Sequence, residues 1–456
     1  MIDFKQEVLK RKNALISDLQ HLIQLKSELT SFDPNRKNAP FGEDIQKAFE
    51  WFLTLAKKDG FDVVNVDGYG GHIQFGSQET FIGSIGHLDV VPAGNGWKFD
   101  PYGAVIHDGK MYGRGTSDDK GPTMAVYYAM KILKELNLDL KHRIKLIIGN
   151  DEETAWRGVD RYFEVYPEIP VSGFIPDADF PLIYAEKGIS RIQVKGILEN
   201  TDIIEFNGGS RDNMVPDFAK VILKNKKPYD VLFNTYLKVH AYQGRTFIEN
   251  DTIVCEIHGK SAHGSLPHEG INAIDLLMQF LIENEKSDFT KLYDTYFIHD
   301  LYGKKLGVYH QDDEMGPTTN NIGVMTIQHH KYDISLNYRY PHGIVFDDVI
   351  QTLKATLITS TIEVDHHKAL LYNDPKSPLI ETLTSVYQKY TNDTENKPFS
   401  IGGGTFARSM PNVVAFGAHF PNTPTYIHQP DEYIDLEELL LATAIYAEAL
   451  YKLATQ

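Results

Sequence analysis

The chain of 456 residues has little of three features that would each point to a class of protein. Cys255 is its only cysteine, so no internal disulfide forms, and metal binding is left to histidine and carboxylate side chains. No run of about 18 apolar residues occurs, and no basic segment followed by an apolar stretch opens the chain. We therefore expect no membrane span, no secretory signal and, by default, a cytoplasmic location.

Positive charge is also scarce. Lysine and arginine number 45 against 62 aspartates and glutamates, which gives a net charge of −17. This balance argues against nucleic acid and against an anionic membrane surface, since both partners require clustered lysine and arginine. The acidic excess serves mainly solubility, although part of it is suited to neutralising bound divalent cations.

The most informative stretch runs from Ser84 to Pro92 and reads Ser-Ile-Gly-His-Leu-Asp-Val-Val-Pro. It begins at the end of a short apolar strand. His87 and Asp89 are two residues apart, so in an extended segment their side chains point the same way. One imidazole nitrogen can then bind a metal while the carboxylate holds the other. The alternative is a pair of ordinary surface residues at a strand end.

The same pattern of a strand, an acidic group and a helix recurs along the first part of the chain. Its candidate ligands are His87, Asp118, Glu152 with Glu153, and Asp177. In open α/β sheets, sites form beyond the carboxyl ends of the strands. Imidazole with several carboxylates suits Zn²⁺ or Mn²⁺, and two metals sharing one carboxylate would lower the pKa of a bridging water.

Two adjacent glutamates allow a division of labour. One carboxylate binds a metal, while its neighbour takes a proton from the metal-bound water and passes it to a leaving amine. Taken alone, however, Asp151, Glu152 and Glu153 are more typical of a solvated acidic turn.

From Lys187 onward, strand-like and helical stretches alternate in a way that favours an antiparallel α+β region. This region ends near Asn373, and helix-forming sequence then returns. We therefore predict an α/β fold with a mostly parallel mixed sheet flanked by helices, formed by residues 1–186 and 374–456, with residues 187–373 inserted. No His-Glu-x-x-His motif and no Gly-x-Ser-x-Gly motif is present.

Five motifs carry a resemblance to a known family. They are Gly86-His87-Leu88-Asp89-Val90-Val91-Pro92, Gly113-Arg114-Gly115-Thr116-Ser117-Asp118-Asp119-Lys120-Gly121-Pro122, Asn150-Asp151-Glu152-Glu153-Thr154, Pro176-Asp177-Ala178-Asp179-Phe180-Pro181 and His428-Gln429-Pro430-Asp431-Glu432-Tyr433. In this order and spacing the chain resembles the co-catalytic zinc peptidases, a family that includes carnosinases, acetylornithine deacetylases and succinyl-diaminopimelate desuccinylases. Within it, the chain is similar to the PepV-type bacterial dipeptidases over nearly its whole length.

The resemblance implies a zinc-exopeptidase type of fold that holds two Zn²⁺ per chain, with Mn²⁺ as the alternative metal. Asp118 would bridge the metals, because the family's ligand stands two residues before the lysine. His87 and Asp177 would complete one metal's ligands, and Glu153 and His428 the other's.

It also implies the catalytic roles. Glu152 would be the general base, Asp89 would orient His87, and His263 of an inserted lid would contact the scissile carbonyl. For His263 an ordinary hydrogen-bonded loop histidine is the alternative.

Four further residues match substrate-binding positions of the family. Asn213 would line the substrate, Arg339 would bind its carboxylate, and the Gly402–Thr405 turn, with Gly403 and Thr405, would hold its terminal carboxylate. A surface arginine and a plain glycine turn are the alternatives.

The implied activity is hydrolysis of dipeptides with a free N-terminus by a metal-bridging hydroxide. An N-acyl amino acid deacylase or a carboxypeptidase of the same family is the first alternative, and a metal-binding module without catalysis is the second. Because both halves of the lid would lie in one chain, we expect a monomer.

Overall fold

The computed structural model describes residues 2–456 and divides them into two compact units. Unit 1 comprises residues 2–185 together with Asn373–Phe399 and Thr405–Gln456. Unit 2 comprises Glu186–Tyr372 and the short segment Ser400–Gly404. Whether the predicted regions fold independently as domains stays a prediction.

The described residues contain ten α-helices. In chain order they are α1 Phe4–Gln24, α2 Glu43–Lys58, α3 Lys120–Glu135, α4 Arg157–Val165, α5 Tyr229–His240, α6 Ala273–Asn284, α7 Asp288–Tyr296, α8 Phe346–Thr356, α9 Pro378–Thr391 and α10 Leu436–Thr455. Two short 3₁₀ helices span Pro267–Glu269 and Phe406–Ser409. Within residues 2–456, none of the helices combines the length and apolar character needed to cross a bilayer.

The strands follow the same order. They are β1 Asp62–Val66, β2 Gly70–Phe75, β3 Phe81–Gly86, β4 Val105–His107, β5 Lys110–Tyr112, β6 Arg143–Gly149, β7 Ser172–Ile175, β8 Ala178–Asp179, β9 Ile183–Glu186, β10 Gly188–Ile197, β11 Ile203–Gly208, β12 Phe218–Lys224, β13 Gly244–Glu249, β14 Thr252–His258, β15 Gln311–Asp312, β16 Gly316–Pro317, β17 Thr319–Gln328, β18 Lys331–Tyr340, β19 Thr361–Lys368, β20 Leu371–Tyr372, β21 Phe399–Ile401, β22 Val413–Ala415, β23 Ala418–His419 and β24 Tyr433–Asp435.

Unit 1 is built on a mixed sheet with strand order β1-β2-β6-β3-β7-β22-β9. The four strands β6, β3, β7 and β22 are parallel to one another, whereas β2 pairs antiparallel with β6, β9 with β22, and β1 with β2. Every residue of β3 and β6 is buried, as expected for parallel strands covered on both faces. Helices α3 and α10 pack on these two strands and on each other.

Unit 2 is built on an eight-stranded sheet with order β13-β14-β12-β11-β17-β18-β10-β19, in which all neighbours are antiparallel. Along β10, buried Ile192 and Val194 alternate with the more exposed Gln193 and Lys195. This period of two places one face on a core under α5 and α6 and leaves the other polar.

The predicted fold class is confirmed, with two local corrections. By sequence, Pro122 suits the first position of a helix, but α3 begins at Lys120, so the proline is third. This costs nothing, because first-turn N–H groups have no partner inside the helix. The sequence of Val63–Phe75 predicts one strand, but the segment forms the two strands β1 and β2, since Asp67 and Gly68 take positive φ angles of 51° and 77°.

Candidate active site

Five predicted ligands come from separate parts of unit 1. His87 follows β3, Glu153 lies beyond β6, and Asp177 follows β7. These three strands are parallel, so their carboxyl ends lie at one edge of the sheet. Asp118 lies in the segment just before α3, and His428 lies in the loop before β24. The topology therefore places side chains up to 341 positions apart in sequence at a single edge.

Their side-chain atoms form two groups that share one aspartate. His87 Nε2 lies 3.1 Å from Asp118 Oδ1 and 3.6 Å from Asp177 Oδ2. His428 Nε2 lies 3.0 Å from Asp118 Oδ2 and 3.1 Å from Glu153 Oε1. Within each group the potential ligand atoms all lie within 4.8 Å of one another. Asp118 thus offers a different oxygen to each group.

The chemistry of these residues fits a pair of divalent cations. His87 is fully buried, and among the described residues its Nε2 makes no hydrogen bond of acceptable geometry despite the short distances. A buried nitrogen without a hydrogen bond is costly unless a ligand satisfies it. Imidazole nitrogens with several carboxylates are ligands that Zn²⁺ and Mn²⁺ accept.

The titration behaviour shows how crowded the carboxylates are. Burial, reinforced by Asp177 and Glu153 and opposed by His87, raises the pKa of Glu152 well above its usual range. Burial and the charge of Asp118 raise the pKa of Glu153 to about 7. Contacts with Asp118 and Glu153 raise the pKa of His428 to about 10. The cluster therefore has an excess of negative charge that bound cations would balance.

Asp89 lies beside His87, although its carboxylate is not the nearer group. His87 Nδ1 lies 3.0 Å from the Asp89 main-chain oxygen and 3.6 Å from Oδ1. The carboxylate instead accepts the backbone N–H of Glu153 through Oδ2 at 3.2 Å. The residue thus contacts one member of each ligand group, and its predicted orienting role stays a prediction.

The side chains that follow Asp118 are directed elsewhere. Asp119 Oδ2 accepts the backbone N–H of His87 at 3.1 Å and the hydroxyl of Thr123 at 2.7 Å. Lys120 Nζ donates to the carbonyls of Leu22 and Leu25, at the end of α1. Of the two adjacent aspartates, Asp118 is therefore the one that faces both histidines.

Unit 2 contains most of the predicted substrate-binding residues. The Asn213 carbonyl accepts the N–H of Gly264 at 2.7 Å, next to His263. Arg339 donates from Nε to Asn337 Oδ1 at 2.8 Å and from Nη1 to the Gly402 carbonyl at 2.6 Å. Desolvation and the charge of Arg339 lower the pKa of His263 to about 4, although part of the ring is exposed.

Gly403 and Thr405 fall on either side of a boundary between the units. Gly403 lies in the segment Ser400–Gly404 of unit 2, whereas Thr405 belongs to unit 1. The Thr405 side chain accepts the N–H of Ala407 at 3.2 Å and caps the 3₁₀ helix Phe406–Ser409. Part of its hydrogen-bonding capacity therefore stabilises local structure.

Sequence reasoning assigned no role to two buried charged residues, Arg114 and Glu432. Arg114 lies in the motif that contains Asp118, and Glu432 lies in the motif that contains His428. Nothing in the residues themselves showed that the two side chains pair. The structure brings Arg114 Nη1 within 2.6 Å of Glu432 Oε2. Their only signal was position, since each lies four residues from a predicted ligand.

A parallel-cored α/β unit with a histidine and carboxylate cluster at its strand ends defines a class of metal-dependent hydrolases. The pattern of the peptidase family M20/M25/M40 matches residues 84–452, and the chain belongs to this family. It is accordingly a metallopeptidase.

Two relatives match it along their whole length. "Putative dipeptidase YtjP" of Bacillus subtilis (strain 168) is 38% identical over 481 residues, covering 99% of this chain and 100% of the relative. "Putative dipeptidase" of Staphylococcus epidermidis is 37% identical over 470 residues, with the same coverage. The crystal structure of human carnosine dipeptidase 1 is similar in fold, with a TM-score of 0.58 at 16% identity, covering 99% of this chain and 98% of that one.

Proposed function

We propose that the chain is a dipeptidase that depends on two metal ions and cleaves dipeptides with a free N-terminus. The observation that carries this proposal is the pair of ligand groups that share Asp118, each atom within 4.8 Å of the others in its group. The names of the two full-length relatives support dipeptides as the substrate class. Zn²⁺ is the expected metal and Mn²⁺ the alternative.

The ligand set would be His87, Asp177 and Asp118 for one ion, and Asp118, Glu153 and His428 for the other. Two divalent cations held there would polarise a carbonyl and lower the pKa of water. Among these residues, the His87 ring is held through Nδ1 by the Asp89 main-chain carbonyl at 3.0 Å. Such contacts fix the orientation of the ring before any ion binds.

Glu152 acts as the general base. It belongs to neither ligand group, yet its carboxyl interacts electrostatically with Asp118, Asp177 and Glu153. A carboxyl whose burial raises its pKa is suited to accept a proton from the attacking water and release it to the leaving amine.

The residues of unit 2 recognise the substrate in this proposal. Arg339 binds the substrate carboxylate as a planar fork, and Asn213 lines the substrate. His263 is neutral near pH 7, since its pKa is about 4, and acts as a hydrogen-bond donor to the carbonyl oxygen that becomes negative. Gly403 and Thr405 contribute to holding the terminal carboxylate.

Glu152→Ala tests the chemical core of the proposal. We expect about 10²- to 10⁴-fold slower turnover of dipeptides with unchanged metal content, because a general base is lost and no ligand is removed. Glu164→Ala is the control, since Glu164 lies on α4 in the same unit and forms an ion pair with Arg161 on the surface. A Glu152→Ala enzyme that keeps more than about a tenth of the wild-type rate would disprove the base assignment.

A substrate panel tests the specificity. Free dipeptides, N-acetylated amino acids and longer peptides are compared on chelated protein reloaded with Zn²⁺ or Mn²⁺. Faster hydrolysis of N-acetylated amino acids would favour the deacylase, and release of C-terminal residues from longer peptides the carboxypeptidase. Metal-loaded protein inert on every substrate would favour a binding module.

We also infer that the enzyme is a monomer. One chain alone supplies all eight strands of the unit 2 sheet, so no second copy is required to complete it. Light scattering coupled to gel filtration should give a mass near 51.7 kDa. Twice this mass would refute the inference.

A further inference from the structure

The buried ion pair of Arg114 and Glu432 lies beside the proposed metal ligands without belonging to them. Arg114 Nη1 donates to Glu432 Oε2 at 2.6 Å, and the two residues are 1% and 0% exposed. The other carboxylate oxygen, Oε1, accepts the backbone N–H groups of Gly115 at 3.0 Å, Ser117 at 3.0 Å and Asp118 at 3.3 Å. One glutamate therefore organises the whole turn that ends in the shared aspartate.

The turn itself demands such an organiser. Gly115 has a φ of +87°, and a Cβ there would lie 2.8 Å from Val90 Cγ1, so the backbone folds tightly with its N–H groups pointing inward. Buried backbone N–H groups require an acceptor. The Glu432 carboxylate supplies it, and the attached guanidinium balances its charge.

Glu432 also belongs to the segment that carries His428. It follows the histidine by four residues, and its own main-chain carbonyl accepts the N–H of Gly113 at 2.9 Å. Ser117 Oγ donates to the Tyr433 carbonyl at 2.5 Å. The segment with the shared ligand and the segment with a terminal ligand of the second group are thus fastened at several adjacent points.

Arg114 is held in place from a third direction. Its Nη2 donates to the Ala93 carbonyl at 3.4 Å, and its guanidinium lies 5.2 Å from the ring centre of Trp97. Trp97 in turn donates its indole N–H to the same Ala93 carbonyl at 2.8 Å. The cation therefore has a fixed position and fixes that of the carboxylate.

We propose that Glu432 and Arg114 are positioning residues that set the 3.0 Å approach of Asp118 to His428 and thereby the affinity of the second metal position. This inference rests on the metal site proposed above. Stability alone does not explain the pair, because a buried ion pair is often no more stable than apolar residues of the same volume. An apolar replacement, however, would leave three N–H groups of the turn without their acceptor.

The proposal is tested by adding Zn²⁺ stepwise to chelated protein without substrate and measuring each binding step by calorimetry. Glu432→Gln leaves one amide oxygen for the turn and places an NH₂ group against Arg114. We expect it to weaken one of the two Zn²⁺-binding steps at least tenfold and leave the other within threefold. With dipeptide at saturating Zn²⁺, kcat should recover towards the wild-type value and KM should stay within twofold.

Glu448→Gln is the matched control. Glu448 is 5% exposed and accepts from Lys389 Nζ at 2.6 Å and from the Tyr390 hydroxyl at 2.7 Å, within the same unit but away from the ligands. It should lower the melting temperature and leave both Zn²⁺-binding steps unchanged. Glu432→Gln with wild-type affinity at both steps would overturn the proposal.

Conservative variants cover the case in which Glu432→Gln does not fold. Arg114→Lys and Glu432→Asp keep both charges but alter the geometry, and we expect each to weaken the same binding step. If these two variants also fail to fold, the pair serves stability and the proposal is overturned. Because binding is measured without substrate, a protein that binds two Zn²⁺ ions and cleaves no dipeptide would refute only the proposed function.

Discussion

The two units gather opposite charges. Unit 1 brings four carboxylates together around two histidines, namely Asp118, Glu152, Glu153 and Asp177 around His87 and His428. Unit 2 brings Arg339 close enough to Lys187 and His263 to influence the titration of both. The first cluster is suited to cations, and the second to an anion such as a carboxylate.

Desolvation shifts the titration of both clusters, and it does so in opposite directions. In unit 1, burial raises the pKa of Glu153 to about 7. In unit 2, burial and the charge of Arg339 lower the pKa of Lys187 to about 8. In each case burial disfavours the charged form. A ligand of opposite charge would offset this cost in either cluster.

The largest expected effect comes from the residue that both ligand groups share. Asp118→Asn should abolish tight binding of both metals and reduce turnover by at least about 10³-fold, because the metals contribute several kcal/mol to the reaction. Metal content after dialysis and the rate of dipeptide hydrolysis measure the two losses. Retention of two metals would show that the groups do not share this carboxylate.

A change in the unit 2 cluster, which contains Arg339, should affect substrate binding more than turnover. Arg339→Lys keeps the charge but loses the planar fork, so we expect KM for dipeptides to rise roughly 10- to 100-fold with metal content unchanged. Steady-state kinetics separate KM from kcat. Equal KM values for the variant and the wild type would show that Arg339 does not bind the substrate carboxylate.

A histidine outside both clusters tests whether burial shifts a pKa where no ligand is proposed to bind. His72 is 3% exposed, and burial together with the charge of Lys145 lowers its pKa from 6.5 to about 4. Between these values the unfolded chain binds a proton and the folded chain does not, so stability is lost as the pH falls. The free energy of unfolding should fall by about 2 kcal/mol between pH 7.5 and pH 5 from this group.

His72→Gln should remove this contribution, so the wild-type and variant stabilities converge as the pH falls. Urea unfolding at several pH values measures the difference, and acid effects on the metal ligands cancel between the two proteins. A constant difference across this range would mean that His72 titrates normally in the folded chain.

The sequence predicted local structure well where apolar runs had clear ends. The sequence predicts short strands over Arg143–Gly149 and Ser172–Ile175, and both are strands with these bounds. The helix α4 was not predicted, since its nine residues follow directly on the acidic turn and start at Arg157 without a capping side chain. Short elements of this kind depend on tertiary packing rather than on local signals.

Within the candidate site, the residues themselves suggested His87, Asp118, Glu152 with Glu153, and Asp177 as candidate ligands, but not their arrangement. His428 carried no recognisable signal apart from the family resemblance, because a loop histidine has no periodic context. The buried partnership of Arg114 and Glu432 was equally hidden, since a pairing across 318 positions leaves no trace in a single sequence.

The sequence by itself determined which reactive groups are present: histidines and carboxylates at strand ends, a single thiol and an excess of acidic residues. These follow from residue type and short-range periodicity, which act within a few positions of the chain. Only the tertiary structure decided that Asp118 offers one oxygen to His87 and the other to His428, and that Glu432 holds the turn between them. Distances of about 3 Å between such remote groups depend on the order of the parallel strands in the sheet and on buried hydrogen bonds. Neither is determined by neighbouring residues in the sequence.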